Sequence, residues 1–171
     1  NGFSHLEEMQ TWDLEPGGKY YVTRNQSSIL AFELPQDHPQ CYHITASHSD
    51  SPSFRIKKCK MDDKKYARAE VEGYGGMIMS GWMDRPLSYA GRVLVRTSDG
   101  VESRLVSAKE DVFVIPNLAI HFNREINRGY SYNPQIDMQP LYGGSESDLM
   151  EHIAACAGAD AGDILDLDLF L

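Results

Sequence analysis

The residues whose types and spacing suit chemistry centre on one segment, Ile44-Thr45-Ala46-Ser47-His48-Ser49-Asp50-Ser51-Pro52. An apolar, β-branched run leads into a His-x-Asp step and stops at a proline. That is the pattern of a strand whose end presents an imidazole and, two positions on, a carboxylate. A histidine that binds zinc through one ring nitrogen commonly uses the other to bond a carboxylate, carbonyl or water, which fixes its tautomer and ring angle. His48 and Asp50 therefore suit a ligand and its orienting group, or two ligands. They equally suit a His and an Asp capping a surface turn. A zinc site takes three or four His, Cys or carboxylate ligands. The other histidines (His5, His38, His43, His121 and His152) are scattered, with no His-x-x-x-His pair and no His-Glu-x-x-His helix. His43, five residues before His48 on the same expected strand, faces the opposite side.

Two further spots carry polar chemistry in apolar surroundings. His121, in Ala-Ile-His-Phe, fits a histidine satisfied inside a core. Asp84-Arg85, after Trp82-Met83, fits a strand-end ion pair or a pair placed at an interface or site edge. The Met77 to Met83 cluster fits a core or a subunit interface better than a cofactor site. No Gly-x-Ser-x-Gly elbow, P-loop or Gly-x-Gly-x-x-Gly is present, which weakens hydrolase-triad and nucleotide readings.

The elements that must position these residues read as mixed α/β and β-rich. Apolar residues at Phe3, Leu6, Met9 and Trp12 predict an amphipathic helix with Ser4 as its cap, ended by Pro16-Gly17-Gly18. Strands are expected over 19–23 and 28–34 around a turn at 24–27, over 40–46 leading into His48, and over 54–58. The charged stretch 57–65 is a hairpin loop or a domain crossing. Further strands are expected over 66–71, 91–97, 101–107 and 111–115. Ser98-Asp99-Gly100 supplies the turn between the second and third of these. Residues 118–126 read as helix or strand, and 123–133 as loop. Gly143-Gly144-Ser145-Glu146 makes a break and a helix start, Asp148 to Ala157 a helix that Gly158 stops, and 164–171 a strand.

Composition bounds the rest. The chain has 171 residues, 42% of them hydrophobic, enough for a core. The net charge of −9 argues against nucleic acid and against an anionic membrane as the main partner. No apolar run reaches the ~18–20 residues that span a bilayer, and no secretory signal opens the sequence. Three widely spaced cysteines, Cys41, Cys59 and Cys156, fit reduced thiols in a cytoplasmic protein. The first residue is not Met, so the true N-terminus is expected upstream. The apolar Phe170-Leu171 end reads as a strand that continues.

Taken together, several stretches resemble the aspartyl aminopeptidase family of zinc metallopeptidases. They are Lys19-Tyr20-Tyr21-Val22-Thr23-Arg24-Asn25, Ser47-His48-Ser49-Asp50-Ser51-Pro52, Val71-Glu72-Gly73-Tyr74-Gly75-Gly76, Trp82-Met83-Asp84-Arg85, Ala90-Gly91-Arg92-Val93 and Ile115-Pro116-Asn117-Leu118-Ala119-Ile120-His121, with 133–140 similar too. The resemblance implies a globular α/β peptidase domain interrupted by a mostly β dimerisation domain. Residues 1–58 would belong to the peptidase domain, 59–162 to the insertion, and 163–171 to the strand re-entering the peptidase domain. It implies two zinc ions sharing a bridging carboxylate, with His48 the first metal ligand, Asp50 the acid behind it, and His121 reaching a neighbouring subunit's active site to bind substrate. It also implies a homo-oligomer that releases acidic N-terminal residues from peptides. Zinc would polarise the scissile carbonyl and lower the pKa of bound water, and a carboxylate would take the proton.

The sequence departs from that family in several places. Its Glu-Glu pair, bridging Asp and last His fall beyond Leu171. Ser49 stands where Thr is usual, Pro86 where an Asp is common, and the connection from Leu141 to Leu149 is short. The chain alone is therefore expected to be inactive and to hold zinc poorly. The alternative is a non-catalytic β-rich oligomerisation or binding module.

Overall fold

The computed structural model of the chain describes residues 2–25, 27–62, 65–144 and 148–171, and for 59–62 the backbone only. It falls into two compact units, Asn1–Ser49 and Asp50–Leu171.

In the first unit, β1 (Ser4–His5) runs parallel to β2 (Lys19–Arg24), which pairs antiparallel with β3 (Ser28–Glu33) from Lys19↔Glu33 to Arg24↔Ser28. Alternation along β2 buries Tyr20 and Val22. The expected hairpin is therefore present; Gln26 of its turn lies outside the described residues. The expected helix over residues 3–12 is not formed. Its apolar spacing is three throughout, and steps of three fall back by about 60° each on a helix of 3.6 residues per turn, so the four side chains never share a face. Two residues add to β2 instead, the Leu6 amide bonds the Tyr21 carbonyl at 2.9 Å, and Met9 is left 94% exposed.

The strand expected over residues 40–46 is also absent. Residues 38–49 are exposed, and 41–49 have no regular structure. An extended run becomes a strand only when a neighbour takes its backbone N–H and C=O groups, and among the described residues none pairs with it.

The second unit is built on β4 (Ser53–Asp62), β5 (Tyr66–Tyr74), β6 (Pro86–Leu87), β7 (Ala90–Thr97), β8 (Gly100–Ser107), β9 (Phe113–Val114), β10 (Leu141–Gly144) and β11 (Ile164–Phe170). Among the described residues these form one sheet in the order β6-β9-β10-β5-β4-β11-β7-β8. The hairpin of β7 and β8 matches expectation. β4 runs past residue 58 into the stretch read as a loop or crossing; Asp63 and Lys64 lie outside the described residues. Phe113 and Val114 alone remain of the strand expected over 111–115, and 118–125 are turns and irregular chain rather than helix or strand. The Leu/Asp alternation of β11 buries Leu169 and turns Asp168 outward to Arg55 (3.0 Å) and Arg92 (3.9 Å) on the flanking strands.

Among the described residues the unit also has two short α-helices, α1 (Pro134–Asp137) and α2 (Leu149–Ala157). Asp148 caps α2 by accepting from the Met150 and Glu151 amides, and Gly158, at φ 63°, closes it in the left-handed conformation. Residues 145–147, part of the expected helix start, lie outside the described residues. Leu149 and Ile153 of α2 join Phe54, Ile56, Val71, Val93, Val95, Ile115 and Leu169 of the sheet in one core. The chain is thus β-rich with few helices, in keeping with the mixed α/β reading.

Candidate active-site segment

His48 belongs to the irregular, exposed stretch that closes the first unit, where the Ser47 hydroxyl donates to its carbonyl oxygen at 3.2 Å. Asp50 opens the second unit, just before β4. Its carboxylate accepts a hydrogen bond from the Tyr74 hydroxyl at the end of β5. Tyr74 pairs with Ser53 across the β4–β5 ladder and packs its ring edge-on against Phe170, with centroids 5.9 Å apart. Ser53 in turn donates to the Leu171 carbonyl, and the Leu171 amide to that of Phe54. Asp50 is thus tied to the corner where β4 begins and β5 and β11 end. The hydrogen bond to Asp50, then its negative charge, raise the Tyr74 phenol above the ordinary tyrosine range, because both favour keeping its proton.

His121 stands elsewhere in the second unit. Ile115, fully buried, anchors the end of β9. From there Pro116 leads to a turn closed by the Phe122 amide on the Ala119 carbonyl at 2.8 Å, with His121 at its third position. His121 is exposed, not packed in a core as its apolar flanks suggest. Leu118, Ile120 and Phe122 around it are exposed as well, the last to 81%. The strand carrying this loop, β9, is two places from β5 in the sheet, so Asp50 and His121 are held by different elements.

Both stems of the His121 loop are gripped by carboxylates. Asp84, a non-glycine residue at φ 55°, accepts from the Asn117 amide at 2.8 Å and donates its own amide to the Ile115 carbonyl at 2.9 Å. Asp137 accepts from the Tyr130 hydroxyl at 3.0 Å and from the Asn133 amide at 2.7 Å. The Tyr130 phenol is accordingly pushed up, first by that hydrogen bond. Arg85 turns away from this arrangement to the Gly81 carbonyl at 3.0 Å, so the geometry joins Asp84 to a loop rather than to its neighbour. Sequence reasoning singled out the Asp84-Arg85 pair but not its partner; Tyr74 and Asp137 gave no local signal. Phe113 and Ile115 serve this chain's own core, whereas Ile78, Leu118 and Ile120 are exposed.

Zinc is tested here by the donor set. Among the described residues no three His, Cys, Asp or Glu side chains converge. One imidazole and a carboxylate do not make the three- or four-ligand cage that zinc takes, so the described residues of this chain do not by themselves fit the ion. Cys41 and Cys156 are free thiols. Among the described residues no helix is long and apolar enough to cross a membrane.

A probable M18 family aminopeptidase 2 from Clostridium acetobutylicum is 42% identical over 183 residues, covering 100% of this chain and 42% of the relative. The chain thus spans about two fifths of the length of the curated relatives it matches. Among solved structures, the cryo-electron microscopy structure of the Ape4 and Nbr1 complex superposes with a TM-score of 0.86 at 34% identity, over 99% of this chain and 38% of the other. The structure of mApe1 from Chaetomium thermophilum does so with a TM-score of 0.82 at 31% identity, over 99% and 43%. The family model described as aminopeptidase I zinc metalloprotease (M18) matches residues 1–171, and the chain belongs to that family.

Proposed function

We propose that this chain is the N-terminal and insertion portion of a zinc aminopeptidase that removes acidic residues from the N-termini of peptides in the cytoplasm. The observation that carries the reading is the family match along all 171 residues, with His48-Ser49-Asp50 in the matched stretch. In the full-length protein His48 is one ligand to zinc, Asp50 sets its imidazole, and the remaining ligands and the general base come from sequence outside this chain. Residues 1–58 and 163–171 contribute to the peptidase domain and 59–162 form the insertion. The insertion makes a homo-oligomer and carries His121 to the substrate bound by a neighbouring subunit. The exposed turn with Leu118, Ile120 and Phe122 supports that reading, since apolar side chains gathered on one loop favour a covering partner. The isolated chain is inactive.

The test is His48→Ala in the full-length protein, read as bound zinc by metal analysis and as release of an N-terminal aspartate from a short peptide. Loss of zinc together with loss of turnover is expected. Wild-type turnover in the variant overturns the ligand assignment. Tight stoichiometric zinc binding to the 171-residue chain alone, measured by calorimetry, overturns the division of ligands between this chain and the rest.

A further inference from the structure

We propose that Asp84 is the positioning residue for His121: it fixes where the His121 loop leaves the sheet, and so sets substrate affinity without touching substrate. The inference rests on the reading of His121 as a substrate-binding residue.

The geometry is specific to the stem of that loop. Met83 makes an isolated parallel bridge with Ile115, and the Asp84 amide continues it by donating to the Ile115 carbonyl at 2.9 Å. Beyond Ile115 the loop would be free to swing. There the Asp84 carboxylate takes the Asn117 amide at 2.8 Å, so two successive contacts clamp 115 and 117 to one residue. Asp84 makes both contacts at φ 55°, a conformation open to Asp, Asn and Gly but strained for other side chains. Local strain of this kind persists when surrounding contacts over-determine it. Ile115 is fully buried and cannot follow the loop. The 118–122 segment is exposed, and among the described residues its backbone hydrogen bond is that of its own turn, from the Phe122 amide to the Ala119 carbonyl. The direction of the turn is therefore set at Asn117, four residues from the imidazole.

Two variants at position 84 and one at position 121 separate the contributions. Asp84→Asn keeps an acceptor oxygen and tolerates the backbone angle. Asp84→Gly tolerates the angle and lacks the acceptor. His121→Ala removes the group being positioned. In the full-length protein, with a peptide bearing an N-terminal aspartate, Asp84→Gly is expected to raise KM about five- to tenfold with kcat within about twofold, the size of one hydrogen bond. Asp84→Asn should stay within about twofold of wild type in both. In a His121→Ala background Asp84→Gly should add nothing further to KM. Hydrogen exchange at the Asn117 amide should quicken about tenfold in Asp84→Gly and not in Asp84→Asn.

A wild-type KM in Asp84→Gly, with His121→Ala impaired, overturns the inference and leaves the reading of His121 standing. An equal loss from Asp84→Gly with and without His121 shows a general structural role and also overturns it. Wild-type kinetics in His121→Ala overturn the reading itself, and the inference with it. Should Asp84→Gly fail to fold, Asp84→Asn decides: a KM raised fivefold in a variant that keeps the acceptor overturns the inference.

Discussion

The sheet of the second unit has one place where a single methyl group should part it. Gly91 of β7 lies opposite Leu169 of β11, and among the described residues β11 alone joins the β7–β8 hairpin to β4 and the strands beyond. A Cβ at Gly91 would stand 2.1 Å from the Asp168 carbonyl oxygen and 2.9 Å from the Leu169 Cα, against backbone that has no rotamer to yield, and φ 153° is itself rare for residues with side chains. Relieving the contact requires β7 and β11 to separate by about 1 Å where paired strands normally sit about 4.8 Å apart. That lengthens two or three ladder hydrogen bonds worth about 1 kcal/mol each. It also unseats Val93 and Val95 from their contacts with the core, while overpacking commonly costs about 1–3 kcal/mol. Gly91→Ala is therefore expected to destabilise the second unit by about 3 kcal/mol, or about 10 °C in Tm for a domain of this size. Thermal and urea unfolding followed by far-ultraviolet circular dichroism measure it. Gly76→Ala is the control, since nothing lies within 4 Å of the added methyl, and it should fall within about 0.5 kcal/mol of wild type. A Gly91→Ala variant as stable as the control refutes the close approach of β7 to β11.

Other expectations rest on separate contacts. Asp148→Ala removes the acceptor for the Met150 and Glu151 amides and should cost about 1 kcal/mol in urea unfolding, with Asp148→Asn largely restoring it. The Tyr74 phenol is held above its ordinary value by Asp50, so its contribution to stability is full below pH about 10 and is lost as pH rises through the folded-state value. Asp50→Asn should move the phenol's titration, followed by tyrosinate absorbance against a Tyr74→Phe difference, down toward the ordinary range; an unmoved titration removes the contact. The backbone amides of residues 40–46 should exchange at nearly unprotected rates in this chain, and protection of several of them would show a strand there.

What the sequence made legible is what short-range physics decides. The β7–β8 hairpin follows from β-branched runs on either side of Ser98-Asp99-Gly100, and α2 from Asp148, a 3.6-residue apolar face and Gly158. His48 and Asp50 stand out as candidates because two chemically able side chains are spaced by two. The misreadings have a common cause in contacts made at a distance. Residues 3–12 carry apolar side chains at an interval that no helix face retains, and β2 claims two of them as a strand. β4 runs on past Lys58 because, beyond a register shift between Ile56 and Lys58, β5 supplies ladder partners as far as Asp62, which composition could not reveal. α1 is too short for any periodic signal, and depends on Asn133 accepting from the Gln135 amide. Asp84 and Asn117 lie 33 residues apart, and Asp50 and Tyr74 lie 24 apart, so neither pair leaves a trace in local pattern.

These pairs also explain how an acidic chain spends its charge. With 25 acidic and 16 basic residues, not every carboxylate can meet a cation. Asp50 takes a phenol, Asp84 and Asp137 take loop amides, and Asp148 takes the first amides of a helix. Each sits where a regular element gives way to a loop, the place where backbone N–H groups lack ladder or helix partners. Acidity here is therefore an architectural feature, and the net charge of −9 carries little information about substrate. The distinction is experimental: at Asp84, Asp137 and Asp148 an amide side chain preserves the acceptor and discards the charge. Asn at those positions should leave the loops in place where Ala does not, whereas a role in drawing a charged ligand would make Asn and Ala equally damaging.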